Sequence, residues 1–346
     1  MDRLRFRALT NSKYLRRVVA LASMLVLSAC ISADGPANYL YPEGPRAIQS
    51  DRLWDITFAI AAVIFFVVEG ALIFIILRYR ANKANAQPKQ LHGHTRLELL
   101  WTAIPALILT GIAFMTVPVI FDQAREPEGA LKVQVIGHQW WWEYKYDNGV
   151  VTANELHVPI NRPVLLELRS ADVIHSYWIP KLAGKQDLVP GRINHLTIEA
   201  TEPGEYYGQC AEYCGLSHAN MRARVFAHEP ADYERWVAEQ RAPAAADNAA
   251  VAEGRELFLN GRFAGGQQCV SCHAVGGTAA AGVIGPNLTH FASRTGFAGE
   301  MFEMNEENLK AWLRDPPARK PGSKMPDLNL TEEQINDLSA YLLSLE

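Results

Sequence analysis

Cysteine is scarce in this chain of 346 residues, with five in all, and basic residues are not in excess. Lys and Arg number 33 against 37 Asp and Glu, for a formal net charge of -4. So few cysteines exclude a small scaffold held by many disulfides. The missing basic surplus excludes the phosphate-neutralising footprint of a nucleic-acid binder. What the chain does have is length, more than one hydrophobic core usually organises, so two or three folding units are expected. A mean hydropathy of -0.06 is high beside 20% charged residues, which implies that apolar residues are gathered into a few segments.

The first such segment lies in residues 1–29: basic positions from Arg3 to Arg17, an apolar run from Val18 to Leu27, then small residues. This is the pattern of an export signal. Its end, Leu27-Ser28-Ala29-Cys30, resembles a bacterial lipobox and makes Cys30 a candidate for lipidation. The alternatives are an ordinary signal peptide with an incidental cysteine, or an uncleaved helix. Two further runs, Ile56 to Leu77 with the single charge Glu69 and Leu99 to Ile120 with none, are each long enough to cross a hydrocarbon core of about 30 Å. They predict a transmembrane hairpin over 54–120. The loop between them carries Arg78, Arg80, Lys83, Lys89 and Arg96 and no acid, which places it in the cytoplasm and the ends of the hairpin outside. Pro105 and Pro118 in the second run point to packing against other membrane protein. Glu69, at membrane depth, and Glu98, at its border, are candidates for proton handling, because an unpaired intramembrane carboxylate is costly. Simple solvation of Glu98 and pairing of Glu69 with a partner subunit are the alternatives.

Residues 128–237 contain short runs of strand composition, KVQVIGHQWWWEYKY, PVLLELRS, INHLTIEA and ARVFAHE, separated by turn signals such as Asp147-Asn148-Gly149 and Pro190-Gly191. A small antiparallel β-sandwich or barrel is expected. Residues 238–250 read as an Ala/Pro tether. From 251 to 346 the pattern is helical, and Thr331 with Gln334 forms a capping-box signal for the last helix.

The chemistry is concentrated in CAEYCGLSHANM, Cys210 to Met221. Two thiols at C-x3-C spacing would ordinarily suggest a disulfide in an exported protein. His218 and Met221 add an imidazole and a thioether, and that soft set suits copper, whereas zinc would gain little from methionine. A mononuclear blue site uses one cysteine, so a second thiolate in the same loop implies sulfurs bridging two coppers. The second terminal nitrogen is then best supplied by His175 in SADVIHSYWIP. A separate motif, Cys269-Val270-Ser271-Cys272-His273, reads as covalent c-type haem attachment with histidine as an iron ligand. The alternative, a zinc knuckle, lacks a second cysteine pair. All five cysteines are thereby assigned, and none remains for a disulfide.

The copper loop resembles that of cytochrome c oxidase subunit II, whose CuA pattern C-x-E-x-C-x3-H-x2-M falls on Cys210, Glu212, Cys214, His218 and Met221, with His175 upstream. The resemblance implies a cupredoxin-like sandwich, a backbone-carbonyl ligand from Glu212, and a magnesium site that its side chain would share with subunit I. In GHQWWWEY it implies electron entry through Trp140, although Trp141 stands where the family has tyrosine. In HTRLELLWTAIPALIL it implies that Glu98 opens a proton path into subunit I. The C-terminal region resembles small class I cytochromes c, which implies that Met325 in KPGSKMPDL is the sixth iron ligand, with Met301, Met304 and His290 as competitors, and that Gly285-Pro286-Asn287-Leu288 is a haem-edge loop.

The implied whole is a multi-domain membrane protein with a two-helix hairpin, an all-β copper domain and an all-α cytochrome c domain. It would be the electron-entry subunit of a haem-copper oxidase in a bacterial inner membrane, with both soluble domains on the outer face. Its implied cofactors are binuclear CuA, haem c and magnesium. Its implied partners are subunits I and III and an upstream cytochrome c or quinol-cytochrome c reductase complex. Residues 129–235 carry 10 basic against 13 acidic residues and 251–346 carry 8 against 12. Two mildly acidic modules suggest that the tether replaces charge steering. A copper-delivery factor would instead show a thioredoxin-like pattern and one anchor. The copper module of nitrous oxide reductase would come with a β-propeller for which there is no room.

Overall fold

The computed structural model describes residues 35–79, 92–244 and 249–346, together with Arg17, Ala20 and Leu21. Most of the signal segment, Cys30, the loop residues Arg80, Lys83 and Lys89, and residues 245–248 of the Ala/Pro stretch lie outside the described residues.

Helix α1, Pro45–Arg78, and helix α2, Thr95–Gln123, contain 34 and 29 residues. At 1.5 Å per residue they are about 51 and 44 Å long, ample for a bilayer core of about 30 Å. Their apolar windows are unburied within the chain, so those surfaces are free for lipid or other membrane subunits. Helix α1 begins well before its apolar run, because Pro45 suits the first helical turn and the polar extension has partners there. Arg46 Nη1 donates to Asp122 O at 2.6 Å and Gln49 Nε2 to Asp122 Oδ2 at 2.8 Å. Just before α1, Lys181 Nζ meets Glu43 Oε1 at 2.5 Å and Thr201 Oγ1 donates to Glu43 O at 2.8 Å. These bonds fasten the outer end of the hairpin to the β-domain.

That domain is a sandwich of two five-stranded sheets. Strands β1 Leu131–His138, β2 Trp141–Tyr146, β3 Val151–Ala153, β5 Val164–Ser170 and β8 Asn194–Ile198 form one sheet in the order β3-β2-β1-β5-β8. Strands β4 Glu155–Pro159, β6 His175–Trp178, β7 Gln186–Leu188, β9 Gly204–Cys210 and β10 Arg222–His228 form the other in the order β4-β10-β9-β6-β7. The sandwich is not purely antiparallel: β1 pairs parallel with β5, and β10 with β4. Parallel neighbours need crossover connections, which composition and alternation of single strands do not encode. The two-residue side-chain period sends Val133 and Val135 of β1, Tyr206 and Cys210 of β9, and Val225 of β10 into the shared core. Cys210 is thus the last inward position of its strand.

Helix α3, Pro230–Arg241, continues into the stretch expected to be a tether. The C-terminal region folds around helix α4, Ala252–Asn260, helix α5, Glu306–Arg314, the short α6, Pro316–Arg319, and helix α7, Glu332–Leu343. Thr331 caps α7 in a reciprocal capping box with Gln334, and Asn305 caps α5. Gly254 of α4 lies against α7 so closely that an added Cβ would sit 2.0 Å from Asp337 O. The region also holds a small hairpin, β11 Gly296–Phe297 and β12 Phe302–Glu303, whose turn residues Ala298, Gly299 and Glu300 all have positive φ.

Candidate metal centre and electron-transfer site

Pairing of β6 with β9 sets Tyr177 beside Cys210 and thereby brings His175, 35 residues upstream, to the copper loop. His175 Nδ1 lies 3.9 Å from Cys210 Sγ. Its other nitrogen, Nε2, donates to Asp172 Oδ1 at 2.8 Å, which leaves the Nδ1 lone pair directed at the cysteines. Asp172 also accepts from Gln139 N and Val173 N. Burial opposes its ionisation, yet these bonds hold its carboxyl well below the usual range. Gly137 of β1 provides the space for the ring, since a Cβ there would be 2.9 Å from His175 Cδ2.

The two sulfurs of Cys210 and Cys214 are 3.8 Å apart and unbonded, far beyond the disulfide length of about 2.05 Å. Their thiols and the His175 imidazole are buried, with ligand atoms all within 4.8 Å of one another. Cys214 Sγ is 3.5 Å from His218 Nδ1 and 3.9 Å from Met221 Sδ. Cys210 Sγ approaches Glu212 O at 3.3 Å. Cys210 and Cys214 titrate as a pair. The Cys214 thiol and His175 favour ionisation of Cys210 against the penalty of burial, whereas Cys210 and burial both oppose ionisation of Cys214. Two buried sulfurs flanked by two imidazoles, a thioether and a carbonyl match the preferences of a copper pair.

Of the three consecutive tryptophans, Trp140 hydrogen-bonds to the copper loop. Its Nε1 donates to Cys214 O at 3.0 Å, beside Gln139 Nε2, which donates to the same oxygen at 2.7 Å. Trp141 stacks on His138, and Trp142 is fully buried in the sandwich, edge-on to His175.

In the C-terminal region Cys269 and Cys272 are unpaired and half-buried around one short turn. His273 Nδ1 bonds Pro286 O at 2.8 Å, which leaves Nε2 available to iron. Gly285 lies flat against this imidazole, where a Cβ would be 2.6 Å from Cε1. Met325 packs on the same apolar cluster as Cys269, so the residues fit a covalently held haem. His290 Nε2 is engaged with Ala242 O, and Met304 packs into the apolar cluster just ahead of the α5 cap.

Glu98 and Glu69 are remote from this site. Glu98 Oε1 accepts from His94 N at 3.0 Å, and His94 Nδ1 accepts from Leu97 N, so Glu98 takes part in a reciprocal cap at the start of α2. Glu69 is exposed on the flank of α1. The sequence does not single out Asp172, Gln139 or Gly137 by themselves. Asp172 carries a signal, a carboxylate three residues before a candidate ligand histidine, whereas the other two carry none.

Comparison with known proteins gives a consistent result. The family model described as "Cytochrome C oxidase subunit II, transmembrane domain" matches residues 42–119, "Cytochrome C oxidase subunit II, periplasmic domain" matches 149–227, and "Cytochrome c" matches 251–346. Cytochrome c oxidase subunit 2 of Alkalihalophilus pseudofirmus is 37% identical over 332 residues, covering 93% of this chain and 94% of that one. The chain belongs to the cytochrome c oxidase subunit II family. Its Bacillus subtilis relative of the same name is 34% identical, covering 96% of this chain and 98% of that one. The crystal structure of the periplasmic domain of subunit II from Bradyrhizobium japonicum is 32% identical, covers 33% of this chain and 96% of that one, and superposes with a TM-score of 0.33.

As a subunit II with a C-terminal cytochrome c domain, the chain is an electron-entry subunit of a haem-copper oxidase. It passes electrons from its cytochrome domain through its copper domain to the catalytic subunit, where oxygen is reduced. The family implies CuA copper and the cytochrome domain implies haem. The two apolar helices and the periplasmic-type domain make it a membrane protein with a periplasmic portion. Two spans and a β-sandwich leave no place for the copper-delivery alternative.

Proposed function

We propose that His175, Cys210, Cys214, His218, Met221 and the carbonyl of Glu212 hold the copper pair. The observation that carries this reading is the convergence of the buried His175, Cys210 and Cys214 ligand atoms within 4.8 Å. Cys269 and Cys272 would bind haem covalently, and His273 and Met325 would ligate its iron. When bound, the two centres supply one-electron transfer. The residues around them hold the ligands in fixed positions: Asp172 orients the His175 ring, Pro286 orients that of His273, β9 bears Cys210, and the loop that follows it holds Cys214 buried, which suits redox change with little rearrangement. Trp140 is the aromatic entry to the copper loop, supported by its bond to Cys214 O.

In the same reading, residues 54–120 serve as the membrane hairpin, 128–237 as the copper domain, 238–250 as the connection and 251–346 as the cytochrome domain. The membrane is the bacterial inner membrane, with both soluble domains outside. Subunits I and III are the membrane partners, and an upstream cytochrome c or quinol-cytochrome c reductase is the donor. The exposed Glu212 side chain is a candidate magnesium ligand towards subunit I, Glu98 a candidate entrance of a proton path, and Cys30 a candidate for acylation.

Electron paramagnetic resonance of the copper-loaded, haem-containing chain tests the assignment. The expected signal has hyperfine structure from one electron shared over two copper nuclei, beside a low-spin haem c spectrum. An ordinary mononuclear copper signal would refute the ligand set.

A further inference from the structure

The cytochrome domain is seated on the copper domain through a layer of buried polar groups. Glu155 Oε1, on β4, accepts from Thr295 N, Thr295 Oγ1 and Gly296 N at 2.6, 2.7 and 3.2 Å. Arg222 N donates to Gly299 O at 3.1 Å, and Ser217 Oγ donates to Pro321 O at 2.7 Å. At the centre is Lys320, only 4% exposed. Its Nζ donates to Trp140 O and to Ala298 O, each at 2.6 Å. Among the described residues no carboxylate lies within ion-pair range of it. Desolvation pushes its pKa down to about 7, a measure of how unfavourable a buried ammonium is. A leucine or methionine would fill the space without that cost, so what the ammonium adds is its pair of carbonyl bonds, one on each side of the domain boundary.

Those bonds tie three segments together. Lys320 begins the loop that carries Met325. Ala298 belongs to the left-handed turn between β11 and β12. Trp140 continues, through its indole Nε1, to Cys214 O on the copper loop. Gly322 of the same cytochrome loop lies so close to the indole that a Cβ there would be 2.6 Å from Trp140 Cη2. We propose that Lys320 is a positioning residue for electron transfer within this chain, clamping the Met325 loop and the 298–300 turn onto the backbone of Trp140. The proposal rests on the reading of Trp140 as the entry to the copper loop.

The test uses the full-length chain in its oxidase complex, with Lys320→Met, Lys320→Gln and Trp140→Phe. Two measurements are made on each: hydrogen exchange of the Arg222 amide, which is covered by Gly299 O only when the domains are seated, and the rate of transfer from haem c to copper after photochemical injection of one electron. For Lys320→Met, loss of two bonds from a charged donor predicts exchange and transfer both altered by about tenfold or more, exchange upwards and transfer downwards. Transfer in that variant should also become viscosity-dependent, because it waits for reseating. Lys320→Gln, which keeps two donors, should recover part of both. Unchanged exchange and unchanged transfer in Lys320→Met would overturn the proposal. Faster exchange with unchanged transfer would also overturn it, since seating would then not limit the path. A normal rate in Trp140→Phe, by contrast, refutes the entry reading beneath it. If Lys320→Met fails to mature, Ser217→Ala, which removes a neighbouring bond to the same loop, must show the same two changes in milder form or the proposal falls.

Discussion

Glu300 should make the stability of this chain fall as pH rises through neutrality, and Glu300→Gln should abolish that effect. Glu300 is only 6% exposed and sits on the left-handed turn of the β11–β12 hairpin, facing Arg224 and Glu205 of the copper domain, Glu155 of β4 and the buried Arg294. Arg224 Nε is 2.9 Å from Glu300 Oε2, close enough for an ion pair, but neither oxygen gains a well-directed hydrogen bond. Burial, reinforced by Glu155, outweighs the two arginines and pushes the carboxyl from 4.5 up to about 7. The folded chain therefore binds the proton up to about pH 7, while the unfolded chain releases it near 4.5. Between those values the native state holds more protons, so stability present below 4.5 is lost as pH rises through 7. At 1.36 kcal/mol per unit the loss is about 3 kcal/mol. For a cooperative unit of 150–250 residues this corresponds to about 6–12 °C in Tm. The assay is thermal unfolding of wild type and Glu300→Gln at several values from about pH 5 to about pH 8.5. The two should be similar at the acid end, and the variant should be the more stable at the alkaline end. Because other titrating groups, Lys320 among them, are common to both proteins, the difference isolates Glu300. A Tm difference that stays constant across the range would refute the reasoning.

Two further expectations concern packing and metal. Gly254→Ala would ordinarily favour helix α4 by about 1 kcal/mol, but its Cβ would meet Asp337 O at 2.0 Å and Tyr341 Cβ at 2.9 Å. The clash should win, with a net loss of about 1–3 kcal/mol, read as an earlier thermal bleaching of the haem absorbance. Removing copper by chelation should destabilise the copper domain by about 2.7 kcal/mol relative to free copper at a hundredfold excess over Kd. Amide exchange in residues 210–221 should rise, with little change in α7, which lies in the separate cytochrome core.

The copper loop stands out in the sequence because most of its candidate donors occupy twelve consecutive residues and because their softness restricts the metal. His175 could be chosen only as a histidine flanked by strand-like residues, and the β6–β9 register gives the reason it reaches Cys210. The expectation of a haem domain rests on five residues, Cys269 to His273, and the cytochrome c match over 251–346 agrees with it at the level of the domain. The hairpin was legible in its apolar centre but not in its polar beginning, where Arg46 and Gln49 find partners more than seventy residues away. The seating of the two soluble domains was not legible at all. Glu155, Glu300 and Lys320 are charged residues in ordinary contexts, and a charge in sequence is indistinguishable from a solvated one until the opposing surface is known.

That hidden interface changes how the two acidic modules meet. Equal signs of net charge suggest that a tether stands in for steering, yet the contact includes a pair of opposite charge: Lys324 Nζ lies 3.0 Å from Asp172 Oδ2. Net charge sums over whole surfaces, whereas recognition is decided over the few residues that touch. Lys324 is largely exposed, so salt screens its pair and that pair contributes little. Glu155, Glu300 and Lys320 are buried, where salt penetrates poorly. Insensitivity of transfer to ionic strength would therefore follow from a seated, desolvated contact as readily as from a flexible tether. Viscosity separates the two: a tethered donor must diffuse to its acceptor for every electron, while a donor clamped at Trp140 is already there.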